Sequence, residues 1–163
     1  METTFNWNVQ EKFGGAVFKE SGEAGIWVII RNSRGEVMAS LVEKFLKPSS
    51  FETVELLAAR RAVILVKELS FENSIFECDS KTIIKSFWNS DWLKSSIGHL
   101  VQDTLSFINS LRSWRFYHIG RQCNVVAHAL ARRARISFSL DVWMEFVPPD
   151  IFHVLRVDFP VFH

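Results

Sequence analysis

The run Ile75-Phe76-Glu77-Cys78-Asp79-Ser80 decides how the rest of the chain is read. Apolar and polar side chains alternate through it as on a strand, it ends on an acid, and a helix-like stretch over 81–88 follows at once. An acid at the carboxyl end of a strand, just ahead of a helix, stands where open α/β sheets place ligand chemistry. The position also has a plainer use. The Asp79 carboxylate or the Ser80 hydroxyl can accept the first free N–H groups of that helix. The run alone leaves both uses open.

Upstream, 51–69 has helical composition, with Val54, Ala58, Leu65 and Leu69 close to one face. Leu57, Ala62 and Ile64 widen that face, so the helix is expected against a sheet, with Arg60, Arg61, Lys67 and Glu68 on its wet side. Ser49 or Ser50 is its cap. Before it lie three strands: one ending in Gly15-Ala16-Val17-Phe18, one over 25–31 apolar enough to be buried on both faces, and one over 37–45. Asn32-Ser33-Arg34-Gly35 joins the last two as a hairpin. Residues 1–13 are polar, with Phe5, Trp7 and Val9 alternating, and read as a tail or a ragged first strand.

Downstream, Val101, Leu105, Ile108 and Leu111 recur at helical spacing. A fifth strand over 114–119 follows, and Asn124 caps a last helix over 125–134. The order βββ-α-β-α-α-β-α predicts an α/β (α+β) fold with a mixed five-stranded sheet flanked by helices. Residues 136–163, with Pro148-Pro149 and several aromatics, read as an irregular appendage.

Composition narrows the function classes. The chain has 163 residues, 48% hydrophobic and 23% charged, which suits one soluble domain with a real core. A net charge of +1 makes no global case for nucleic acid or membrane, so any such case must be local. Cys78 and Cys123 lack the paired spacing of a metal site and suggest a reducing compartment. No signal peptide or membrane-length apolar run is apparent, so the expected setting is intracellular, in nucleus or cytoplasm.

Five stretches in this order carry a family resemblance: Gly15-Ala16-Val17-Phe18, Ile30-Arg31-Asn32-Ser33-Arg34-Gly35, Val54-Glu55-Leu56-Leu57-Ala58, Glu77-Cys78-Asp79-Ser80, and the run from His118 through Asn124 and His128 to Ala131. Together they resemble the ribonuclease H fold, and more closely the plant ribonuclease H-like, reverse-transcriptase-like domain, over residues 14–135. The resemblance implies hydrolysis of RNA in RNA–DNA hybrids by two Mg²⁺ ions held by four carboxylates. Magnesium takes oxygen ligands in near-octahedral geometry, which is why carboxylates serve there.

Carried over position by position, Glu55 matches the helix Glu and Asp79 the strand Asp. The first Asp falls on Gly14, and the fourth carboxylate on His128. Two divalent ions about 4 Å apart repel by about 17 kcal/mol even at an effective dielectric of about 20, an upper bound. Two carboxylates offset half of what four would. His128 suits a transition metal such as Mn²⁺ better than Mg²⁺. Glu11 offers no rescue, since three residues along a strand place it about 10 Å from Gly14 on the opposite face.

The resemblance implies Glu55, Asp79 and His128 as the catalytic set, Glu55 and Asp79 as metal ligands, and His118, Arg121 and Asn124 as substrate contacts. Residue by residue, plainer uses stand beside these: His118 packed on its strand, Asn124 as a cap, Arg132, Arg133 and Arg135 complementing a helix dipole, Trp88 and Trp92 pinning a loop. The expected function is a nucleic-acid-binding ribonuclease H-like domain with impaired hydrolysis and weak Mg²⁺ or Mn²⁺ binding. An active hybrid nuclease and a non-catalytic protein-interaction module or gene remnant are the alternatives.

Overall fold

The computed structural model of the protein describes residues 8–120, 125–137 and 139–149. Its strands are β1 (Asn8–Phe18), β2 (Glu23–Arg31), β3 (Val37–Leu46), β4 (Asn73–Cys78), β5 (Ser113–His118) and β6 (Leu140–Met144). The helices are α1 (Phe51–Glu68), α2 (Lys81–Ser86), α3 (Gly98–Ile108) and α4 (Val125–Ala134), with a 3₁₀ segment at Ser90–Lys94. One sheet holds all six strands in the order β5-β4-β1-β2-β3-β6. β1, β2 and β3 form the antiparallel meander, β4 adds parallel to β1, and β5 parallel to β4.

The sixth strand corrects the expected count of five. β6 pairs antiparallel with β3, Leu41 opposite Val142, so part of the stretch expected to be irregular closes the sheet edge. Five residues before Pro148-Pro149 give little local signal, and the partner lies about a hundred positions away. β1 also begins earlier than its Gly-Ala-Val-Phe mark, at Asn8.

Strand alternation divides the core in two. Val9 and Phe13 of β1, Ile26, Val28 and Ile30 of β2, and Phe76 and Cys78 of β4 pack under α1 and α3. Trp27, Ile29 and Val42 face the other way, onto Val126, Ala129 and Leu130 of α4. On α1 the buried set is Val54, Leu56, Ala58, Ala59, Ala62, Val63, Leu65 and Val66, a wide face lying on the sheet as its composition requires. Ser50 caps it, accepting from the Thr53 amide at 3.2 Å. Among the described residues no helix is long and apolar enough to cross a membrane.

One buried side chain runs against the pattern. Glu11 is 0% exposed on the α1 side of β1, with Ile30 and Phe76 as its strand neighbours. Burial pushes its carboxyl well above the usual carboxylate range; the Ser74 hydroxyl and the residue's own amide oppose the shift, and Glu77 adds to it. Neither oxygen completes a hydrogen bond of good geometry among the described residues. Glu11 is therefore neutral in the fold over an interval in which the unfolded chain has already released the proton. Across that interval stability falls as pH rises. Glu11→Gln is expected to flatten this limb and Glu11→Met to raise stability at pH 7 by about 1–3 kcal/mol. Urea unfolding from pH 4 to pH 8 checks both, and parallel profiles for wild type and Glu11→Gln would refute the assignment.

Candidate functional site

The site is built where α1 crosses β1 beside the end of β4. A Cβ on Gly15 would stand 2.5 Å from Val54 Cγ1, so only glycine admits the helix this close. The next residue along α1, Glu55, is thereby brought to the strand ends. On the other side, Ser80 caps α2 by accepting from the Ile83 amide at 3.3 Å. The same Ser80 hydroxyl donates to Glu55 Oε2 at 3.0 Å, tying the second turn of α1 to the turn after β4.

Capping thus falls to Ser80, and Asp79 is half-buried at the carboxyl end of β4. Its backbone carbonyl accepts from His118 Nε2 at 3.1 Å, closing the neighbouring ends of β4 and β5. Cys78 reports the electrostatics of the place. Burial, with Asp79 and Glu55 adding to it and the Ser80 backbone opposing, pushes its thiol up to about 12. Cys78 stays a buried thiol there, and Glu55 and Asp79 are close enough to act on the same group.

The remaining sequence candidates lie on other elements or outside the described residues. His118 is exposed at the end of β5 and His128 is exposed on α4. Arg121 and Asn124 lie outside the described residues. Among the described residues no three His, Cys, Asp or Glu side chains gather to hold a metal ion. Trp88, 67% exposed, stacks on Trp114 with ring centroids 5.6 Å apart. Of the basic cluster, Arg133 lies over Trp143 at 5.6 Å and Arg135 over Phe18 at 5.7 Å, while Arg132 is exposed.

Gly14 faces Trp27 across the β1–β2 ladder. Following the β1–β4 register two residues past Lys12 and Glu77 brings Gly14 level with Asp79. A Cβ on Gly14 would meet Trp27 Cζ2 at 2.7 Å and Cε2 and Nε1 at 3.0 Å. Gly14, expected at the position of an absent carboxylate, thus has the Trp27 ring where a side chain would stand. The usable signal was the cross-strand pairing of a bulky aromatic with a glycine, which needs the β1–β2 register to be known. The donor set does not fit a two-metal centre: Glu55 is engaged by Ser80, Gly14 has no side-chain oxygen to offer, and among the described residues no group of three His, Cys, Asp or Glu side chains forms.

A family model described as reverse transcriptase-like matches residues 12–134. Among solved structures, ribonuclease H1 from the halophilic archaeon Halobacterium salinarum NRC-1 superposes with a TM-score of 0.70 at 19% identity, covering 78% of this chain and 97% of that one. The N-terminal RNase H domain of rv2228c from Mycobacterium tuberculosis, solved as a maltose-binding-protein fusion, gives 0.66 at 17% identity, covering 79% and 94%. LC11-RNase H1 in complex with an RNA/DNA hybrid gives 0.61 at 18%, covering 77% and 95%. No curated protein matches the chain.

Ser80 joins the cap and the carboxylate, so Ser80→Ala removes both bonds. It is expected to cost about 1–2 kcal/mol in urea unfolding, with Ser80→Thr recovering most of the loss. A loss no larger in Ser80→Ala than in Ser80→Thr would show that the hydroxyl links nothing.

Proposed function

The chain belongs to the reverse transcriptase-like family, with the fold of a ribonuclease H-like domain, and from that premise we propose that it binds nucleic acid at the ends of β1, β4 and β5 while hydrolysing it poorly. The ligand class is an RNA–DNA hybrid or RNA. The observation that carries the reading is the residue set: Glu55 and Asp79 match two of the family's four carboxylate positions, and Gly14 and His128 stand at the other two. Proper in-line attack on a phosphodiester needs charge stabilisation on both the entering and the leaving oxygen. Half the anionic ligands hold at most one cation, and weakly.

Binding needs less than catalysis does. Contacts to phosphates and sugars position a nucleic acid without any chemistry at the scissile bond. His118, already donating to the Asp79 carbonyl, and Arg121 and Asn124 beyond it are the residues assigned to the substrate. The exposed Trp88 ring, supported from behind by Trp114, offers a face on which a base can stack. A divalent cation, when bound, would supply Lewis-acid stabilisation; Glu55 and Asp79 are the side chains that would hold it.

Titration of a labelled RNA–DNA hybrid at several salt concentrations tests the reading. Binding is expected to weaken steeply with salt, by about 0.7–0.9 logarithmic units per phosphate contact for each tenfold rise. Cleavage in Mg²⁺ or Mn²⁺ should stay at the level of Asp79→Asn. No binding at low salt would move the protein to the class of interaction modules. Cleavage lost in Asp79→Asn would make it an active nuclease.

A further inference from the structure

We infer that Trp27 decides whether this site can take a divalent cation, because its indole occupies the space that a carboxylate at position 14 would enter. This rests on reading Gly14 as the place of a lost acid. It goes further in making the loss a matter of two residues, so that Gly14→Asp alone does not repair the site.

The ground is steric. Carbon atoms meet comfortably near about 3.5–4 Å, and a Cβ on Gly14 would stand 2.7 Å from Trp27 Cζ2. An Asp would carry its carboxyl further along the same direction. The ring cannot simply turn aside, since Trp27 is 6% exposed and packed with Phe18, Ile29 and Val42 beneath Val126, Ala129 and Leu130 of α4. Its chemistry is also wrong for a cation. An indole presents apolar carbon and one N–H donor, where Mg²⁺ requires oxygen acceptors and Mn²⁺ some lone-pair donor.

The pairing is local and specific. Gly14 and Trp27 are direct partners on neighbouring strands, so the bare glycine backbone and the large ring fit as one unit. Enlarging the small member crowds the ring. Shrinking the large member opens a cavity beside the glycine, which an acid at 14 can partly fill. The two changes are therefore expected to compensate each other, both in packing and in cation binding.

The test is a double-mutant cycle on the full chain, measured without nucleic acid so that it stands or falls separately from hybrid binding. Thermal unfolding of Gly14→Ala should fall by roughly 5 °C with Trp27 present, and by little or not at all in the Trp27→Ala background. Mn²⁺ titration followed by electron paramagnetic resonance should show Gly14→Asp/Trp27→Ala binding about tenfold or more tighter than Gly14→Asp, with Asp79→Asn abolishing the gain. Equal losses for Gly14→Ala in both backgrounds would overturn the inference, as would Mn²⁺ binding by Gly14→Asp as tight as by the double variant. If Gly14→Asp does not fold, the Gly14→Ala pair decides alone.

Discussion

The waist of the structure is the backbone of β1 at Gly14 and Gly15, approached from both sides by side chains that tolerate no Cβ there. Val54 of α1 presses on Gly15 from one face and the Trp27 indole on Gly14 from the other. The first contact sets how deeply α1 lies on the sheet, and with it the position of Glu55. The second closes the opposite side of the same strand. Strand alternation makes this possible, because consecutive residues serve opposite layers. One dipeptide thus meets both layers, and through Val54 it sets where Glu55 stands.

Three groups, on β1, α1 and β4, are held by local interactions. Glu55 accepts a hydroxyl hydrogen bond from Ser80. Glu11, deeper along β1, is driven toward its neutral form by burial. Cys78, between the layers, is held as a thiol by burial and by the neighbouring acids. In a site made for two divalent ions such a cluster would be held together by the metal charge. Here a hydrogen bond acts on Glu55, and burial acts on Glu11 and Cys78.

Much of this was legible in the residues. The hairpin at 32–35, the length of α1, the strand ending before Asp79, and the last helix over 125–134 follow from local signals, and each appears where those signals put it. Ser80 and Asp79 could not be separated as caps, because either oxygen suits the position; the fold chose the hydroxyl, which also reaches Glu55. β6 was missed because a five-residue edge strand owes its existence to β3, far away in sequence, and not to its own propensity. Glu11 lay in a polar stretch read as a tail or ragged first strand, and its burial beneath a helix had no local signal. Trp27 read as core, correctly, yet its consequence depends on which residue stands opposite. Register is not a local property, and so the closing of the site was invisible until the strands were paired.

The same asymmetry separates what the fold preserves from what the chemistry demands. Packing tolerates many exchanges provided volume and patterning are kept, so a ribonuclease H-like sheet survives at 17–19% identity to the solved enzymes. Two-metal hydrolysis allows much less. It needs several oxygens converging on the same small volume, and under our proposal the Trp27 ring stands where one of them would come. A nucleic acid contacted mainly through its phosphates and sugars asks only for placed donors and accessible rings, and these come from the strand ends and the loops beyond them. On the function proposed above, losing one requirement leaves the other standing, and the Gly14–Trp27 pair marks where the two part.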